Sequence, residues 1–144
     1  MVDESVLVSK LEDIEQFTTE LHEMSETPKQ AYLEDVVLQR AVERTLMNVV
    51  QACVDLARHV RSSLGVSTAE TAGQEFEGLV DAGIVSESTG EKLQEAVGLR
   101  NLLAHRYGEI DHELVYEVVQ EDLHWFERFQ REVADWYQHE YSEA

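Results

Sequence analysis

The residues best suited to chemistry lie together between positions 100 and 108. Arg100, His105 and Tyr107 place a guanidinium, an imidazole and a phenol within eight residues. A guanidinium is always charged, and its planar fork matches the oxygens of a phosphate. An imidazole exchanges protons near neutral pH. The pair therefore suits phosphodiester cleavage: the arginine would stabilise charge on a pentacovalent phosphorus, and the histidine would move protons to or from a ribose 2′-OH or the leaving 5′-oxygen.

These residues lie at the end of a helical pattern, which limits how they can meet. Arg100 and Tyr107 are seven positions apart and share a face, whereas His105 lies about 140° from Arg100 around a regular helix. Either the helix unwinds near His105, as Gly108 permits, or a second copy of the chain completes the site. The negative end of the helix dipole favours an imidazolium at this position. The same side chains could instead cap helix carbonyls and cover the core.

The elements that position this stretch are all predicted to be helical. Apolar residues recur every three or four positions, and the chain has only one proline, Pro28. Ser88 and Glu91 have the spacing of a capping box, and Asp111 is a natural N-cap. We expect an all-α fold, an antiparallel bundle of four long helices and one short helix in a single domain, 1–144, with a frayed acidic tail at 137–144. The predicted helices are 4–26, 29–62, 69–82, 88–107 and 112–140.

The composition is strongly acidic, with a net charge of −19 from 30 acidic and 11 basic residues. Such a surface repels nucleic acid unless a local basic site overrides it. The acidity is interpreted as adaptation to high salt, as a solubility device, or as a face for a basic partner. Four arginines of the second helix are expected to be solvated or ion-paired, although with Arg106 they could form a basic track. They are Arg40, Arg44, Arg58 and Arg61.

Several classes of protein and site are disfavoured by the sequence. No apolar run is long enough to span a bilayer, and the N-terminus lacks the features of a signal peptide. The single cysteine, Cys53, falls in an apolar helical pattern, so we expect it in the core and expect a cytoplasmic protein. Glu-x-x-His spacing occurs at Glu109–His112 and Glu121–His124, but the first pair falls in a turn. Neither a metal site nor a cofactor is therefore expected.

The sequence Arg100-x4-His105-x-Tyr107 resembles the motif of the HepT-like toxins, which belong to the HEPN superfamily of ribonucleases. The flanks are similar too: the segment 76–85 looks like the short helix and turn of the family, and Ile110-Asp111 follows the motif. The resemblance covers roughly residues 33–129. The bare motif is moderately specific, whereas the motif with these flanks and this helical order is strong.

This resemblance implies a metal-independent endoribonuclease that works as a homodimer, with two motifs facing each other across a cleft that binds RNA. Arg100 and His105 would be catalytic, and Asn101 would help hold the site. The implied partner is an MNT-type nucleotidyltransferase antitoxin, which would add AMP to Tyr107. Added phosphate and nucleoside would fill the cleft and repel the RNA backbone.

Two other functions stay open at this point. The chain could be a catalytically inactive HEPN module that binds and positions a nucleotidyltransferase partner or a nucleotide. It could also be a plain helical dimerisation module, in which case Arg100 should be ion-paired and His105 buried.

Overall fold

The computed structural model describes residues 2–65, 69 and 71–141, without the side chain of Tyr107. These residues form seven α-helices and one 3₁₀ turn, Tyr107–Glu109, and include no strand. The predicted all-α class is therefore confirmed. None of the described helices has the length and apolar character needed to cross a membrane. The helices are α1 Glu4–Met24, α2 Lys29–Glu34, α3 Val36–Ser63, α4 Ala72–Asp81, α5 Glu87–His105, α6 His112–Glu121 and α7 His124–Tyr141.

The core surrounds α3, which packs against α1, α4, α5 and α7. Its buried side chains recur at helical spacing, as in Leu46, Val49, Val50 and Leu56. Because partner helices cover it on several sides, α3 fixes the position of α5 and hence of the residues near position 100. Cys53 is fully buried within this core, as predicted, and its burial raises the pKa of the thiol.

The predicted second helix is divided in two, so the prediction of one helix over 29–62 is wrong. Asp35 leaves the helical region at φ −111° and ψ 95°, and its side chain accepts a hydrogen bond from the Leu38 backbone N–H. Asp35 thereby ends the short α2 and caps α3. An aspartate is common both on a solvated helix face and at an N-cap, so the apolar periodicity alone did not reveal the break.

The predicted last helix is also divided. Asp122 adopts φ −111° and ψ 0°, and it separates α6 from α7. The backbone N–H groups of Trp125 and Phe126 then bond to carbonyls only three residues earlier, which makes a tight turn. The bundle therefore has more and shorter helices than predicted. The last helix continues through Tyr141, into the segment expected to fray.

The start of α5 is set by a contact with α7 rather than by the predicted capping box. Ser86, not Ser88, is the N-cap, and its hydroxyl accepts from the Thr89 backbone N–H at 3.2 Å. The carboxylate of Glu132 accepts from the Ser86 backbone N–H and from the Thr89 hydroxyl, each at 2.5 Å. Because Glu132 is distant in sequence, the pattern around Ser88 and Glu91 could not reveal this start.

Candidate active site at the end of α5

Helix α5 stays regular through His105, and this settles the relative directions of Arg100 and His105. The Arg106 backbone N–H still bonds to the Leu102 carbonyl at 2.9 Å. Arg106 then turns away at φ −134° and ψ 52°, so the helix ends before Gly108, where the sequence predicted its end. With a regular helix between them, the side chains of Arg100 and His105 diverge by about 140°. The helix does not unwind before His105, so the first of the two predicted ways for these side chains to meet is not observed.

Arg100 is held by neutral groups. Its Nη1 donates to Oε1 of Gln51 at 2.5 Å, and its Nη2 donates to Oδ1 of Asn101 at 3.2 Å. No described carboxylate forms an ion pair with this guanidinium. The side chain is only partly buried. Arg100 therefore presents a positive charge that nothing in its immediate contacts neutralises.

His105 is exposed and makes no hydrogen bond to a described residue. Its neighbour Arg106 forms an ion pair with Glu109 at 3.0 Å, and both side chains of that pair are largely exposed. The imidazole is thus open to solvent and to a ligand, whereas the adjacent guanidinium already has a partner. A plain dimerisation module was expected to show an ion-paired Arg100 and a buried His105, and neither is observed.

Tyr107, the predicted AMP acceptor, begins the 3₁₀ turn that follows α5. Its side chain lies outside the described part of the structure. Because the backbone leaves the α-helix at Arg106, the seven-residue spacing no longer places Tyr107 and Arg100 on one helical face. Its backbone lies in the turn directly after the end of α5, two residues beyond His105.

An apolar pocket of about 140 Å³ lies beside Arg100, between α3, α5, α6 and the start of α7. Leu114 contributes to it and is 45% exposed, although it is a large apolar side chain. A pocket of similar size, about 150 Å³, holds a single benzene ring. The space therefore fits one apolar or aromatic group from another molecule. The other apolar lining residues include Leu93, Leu99, Val118, Trp125 and Phe126.

Three of the four arginines of the predicted second helix, Arg40, Arg58 and Arg61, are paired with carboxylates of the fold. Arg58 and Arg61 both pair with the buried carboxylate of Glu75, at 3.3 and 3.5 Å. Arg40 donates to both carboxylate oxygens of the buried Glu43 at 3.1 Å. These three arginines therefore compensate buried acids, which otherwise cost several kcal/mol to bury. Two carboxylates thus balance most of the charge of these three guanidinium groups within the fold.

No group of three or more metal-ligating side chains occurs among the described residues. The Glu-x-x-His pair at Glu109 and His112 is not assembled as a ligand pair. Glu109 is bound to Arg106, while Nδ1 of His112 lies 3.6 Å from a carboxylate oxygen of Glu43. Glu109 and His112 are thus engaged with different partners.

Sequence reasoning missed Gln51, the side chain on α3 that contacts Arg100. It precedes Arg100 by 49 residues, and an exposed glutamine on an amphipathic helix carries no motif. The one available signal was that Gln51 and Asp55 are a single helical turn apart on the polar face. That spacing is common, so only the packing of α5 on α3 reveals the contact.

Comparison with known proteins gives the same family for most of the chain. The sequence model of the Ribonuclease HepT-like family matches residues 9–133. The chain is 30% identical over 98 residues to the mRNA nuclease HepT of Shewanella oneidensis, covering 68% of this chain and 74% of that protein. It is 24% identical over 135 residues to the tRNA nuclease HepT of Aphanizomenon flos-aquae, covering 92% and 90%.

Solved structures agree with the fold. The structure of a tri-AMPylated Shewanella oneidensis HEPN toxin in complex with MNT antitoxin superposes with a TM-score of 0.86 at 25% identity. The match covers 94% of this chain and 99% of that chain. The resemblance drawn from the motif is thus supported by sequence and fold together, and the chain belongs to the HepT-like family of ribonucleases, which confirms both the family and the enzyme class that the sequence indicated.

Proposed function

We propose that this chain is the ribonuclease toxin of a cytoplasmic toxin–antitoxin pair and that Arg100 and His105 catalyse metal-independent RNA cleavage. The observation that carries the proposal is the state of Arg100. Two neutral side chains hold its guanidinium, and no described carboxylate neutralises it. In a chain with a net charge of −19, an arginine kept in this state is suited to bind an anion.

The chemistry follows from the two side chains. A ribose 2′-oxygen attacks the adjacent phosphorus as the bond to the 5′-oxygen breaks, which leaves a 2′,3′-cyclic phosphate and a 5′-hydroxyl. Arg100 stabilises the charge that develops on the phosphoryl oxygens. His105 takes the proton from the 2′-OH or gives one to the leaving 5′-oxygen. Charge stabilisation and proton transfer are thereby both supplied by protein groups.

We propose a homodimer, because one copy does not bring the two catalytic side chains together. Arg100 and His105 diverge by about 140° on one regular helix. In a symmetric dimer, Arg100 of one copy can face His105 of its partner across a shared cleft. The apolar pocket beside Arg100 and the half-exposed Leu114 support an interface close to this position.

The proposed antitoxin is an MNT-type nucleotidyltransferase that adds AMP to Tyr107. The Shewanella oneidensis toxin of similar fold is tri-AMPylated in complex with MNT antitoxin, which supports both the partner and the modification. Tyr107 directly follows the last turn of α5 and is two residues from His105. A phosphate added there brings negative charge to the mouth of the cleft, where it repels the RNA backbone.

The test is cleavage of a broad RNA set in EDTA, at low and high potassium chloride, by the wild type and by Arg100→Ala and His105→Ala. Every preparation is checked by intact mass for AMP on Tyr107. We expect the unmodified wild type to cleave and His105→Ala to lose about 10²- to 10⁴-fold in rate. The matched controls Arg131→Ala and His139→Ala change exposed residues of α7 and should cleave normally.

Two outcomes would overturn the proposal. Cleavage unchanged in His105→Ala would mean a contaminating nuclease or a different site. The absence of cleavage by an unmodified wild type over all RNAs would favour the inactive module that binds and positions a nucleotidyltransferase.

A further inference from the structure

A chain of polar contacts runs behind Arg100 and links three helices. Oε1 of Gln51 on α3 accepts from the Arg100 guanidinium at 2.5 Å. Nε2 of the same Gln51 donates to Oδ1 of Asp55 at 2.8 Å, one helical turn further along α3. The other carboxylate oxygen of Asp55 lies 3.6 Å from Nζ of Lys10 on α1. Arg100 is thus connected to α1 through an amide and a carboxylate.

The order of these groups fixes which end of the amide faces Arg100. An ionised carboxylate only accepts hydrogen bonds, so Asp55 requires the NH₂ end of Gln51. The amide oxygen is then left for the guanidinium, which only donates. Without Asp55, the amide could rotate and present its NH₂ group to the positive charge of Arg100. Asp55 therefore selects the useful orientation of Gln51.

The same order keeps the charge of Arg100 available. The group that touches the guanidinium is neutral, while the nearest carboxylate in this chain of contacts is one side chain away and paired with Lys10. A glutamate at position 51 would hold the guanidinium equally well but would cancel its charge. An apolar residue there would leave the charge but remove this contact, so that, of its described partners, only Asn101 would still hold the guanidinium.

From this arrangement we infer that Gln51 is a positioning residue, which orients Arg100 for an RNA phosphate without neutralising it, and that Asp55 and Lys10 fix the orientation of Gln51. The inference rests on the proposed function, because it assigns the phosphate of that reaction to Arg100. Gln51 acts through Arg100 and does not contact the reacting atoms.

Two substitutions at position 51 separate orientation from charge. Gln51→Leu should lower kcat by about 10²-fold, as expected for a misplaced group, while retaining the salt dependence of RNA binding. Gln51→Glu should raise KM and lower kcat/KM by about 10²-fold. It should also reduce the slope of log Kd against log salt by about 0.7, the value of one lost phosphate contact on a single strand.

The matched control for added negative charge is Gln16→Glu on α1. Gln16 is exposed, and its hydrogen bond among the described residues goes to Glu20, one turn away, so the same unit of charge is added outside the contact chain. Conservative rescue is tested at Asp55. Asp55→Asn can still accept from Gln51 and should retain most activity, whereas Asp55→Leu should resemble Gln51→Leu. Equal activity of Gln51→Glu and wild type would overturn the inference.

A second readout does not depend on catalysis. Binding of a single-stranded 2′-O-methyl RNA, in which the attacking hydroxyl is blocked, gives the salt slope for every variant. The ¹⁵N signals of the Arg100 guanidinium should be resolved in the wild type and in Gln51→Glu, and broadened by rotation in Gln51→Leu. If the unmodified wild type binds this RNA but cleaves no unmodified RNA, the proposed function fails. The salt slope and the guanidinium signals still decide the role of Gln51 in that case. Unchanged salt slopes and guanidinium signals in the position-51 variants would reject it.

Discussion

Two neighbouring tyrosines should respond in opposite ways to removal of their hydroxyl groups. Tyr32 is 2% exposed, and its buried hydroxyl has no hydrogen-bond partner among the described residues. Tyr116 packs against it with ring centroids 5.3 Å apart, but its hydroxyl donates to the Thr27 carbonyl at 2.8 Å. Tyr32→Phe removes an unsatisfied group, whereas Tyr116→Phe removes a satisfied one and leaves an acceptor without its donor.

The magnitudes follow from these contacts. Relief of an unsatisfied buried hydroxyl should make Tyr32→Phe more stable by about 1 kcal/mol at pH 7, and Tyr116→Phe should be less stable by about 1 kcal/mol. Burial, and secondly the nearby charge of Glu43, raise the pKa of Tyr32 from 10.0 to about 12. A raised pKa means that the unfolded chain loses this proton first, so stability is retained below pH 10 and falls as the pH rises towards 12. At pH 11 the wild type should have lost about 1.4 kcal/mol more than Tyr32→Phe.

The assay is urea denaturation of the three proteins at pH 7 and pH 11, at one fixed protein concentration because association affects apparent stability. All other titrating groups are shared by the wild type and Tyr32→Phe. The difference between the two proteins in the pH dependence of the free energy of unfolding therefore reports on Tyr32. Destabilisation of Tyr32→Phe equal to that of Tyr116→Phe would contradict the role given to the unsatisfied hydroxyl. Equal losses of stability by the wild type and Tyr32→Phe between the two pH values would contradict the raised pKa of Tyr32 in the folded state.

Gly78→Ala should lower stability by about 1–3 kcal/mol, because the new Cβ would lie 2.6 Å from Cδ of Arg61, whose guanidinium pairs with a buried carboxylate. Thermal denaturation measures this, and Gly98→Ala on α5 is the control. Apart from the adjoining backbone of its own helix, no described atom lies within 4 Å of the new Cβ, so Gly98→Ala should raise Tm. A fall in Tm of both variants would contradict the packing explanation. Tyr107→Phe should cleave RNA but gain no AMP mass when it is incubated with the antitoxin and ATP. An AMP adduct on Tyr107→Phe would place the acceptor elsewhere.

Local sequence patterns predicted the helical fold because they report on burial along one element. The apolar repeat of α3, the buried Cys53 and the N-cap of α6 at Asp111 all depend on neighbours within a few residues, and all are observed. The breaks at Asp35 and Asp122 were missed because an aspartate is equally common on a solvated helix face. A rule based on nearby residues therefore does not decide whether an aspartate lies on a helix face or at a helix boundary.

The candidate site was predictable only in part, for a related reason. The motif located Arg100, His105 and Tyr107, but the groups that set their state come from other helices. Gln51 is distant in sequence from Arg100, and the partner of Arg58 and Arg61 is Glu75 on α4. Which arginines are neutralised and which remain available is therefore decided by tertiary packing.

If Arg100 of one copy and His105 of its partner form one nuclease site, mixing two impaired variants should restore it. Purified Arg100→Ala and His105→Ala proteins are combined, mixed dimers are verified by native mass spectrometry, and RNA cleavage in EDTA is measured before and after mixing. We predict that each variant alone cleaves at least about 10²-fold more slowly than the wild type. A mixed dimer should regain cleavage through its one intact pair of Arg100 and His105. Verified mixed dimers that cleave no faster than the separate variants would contradict a site shared between two copies.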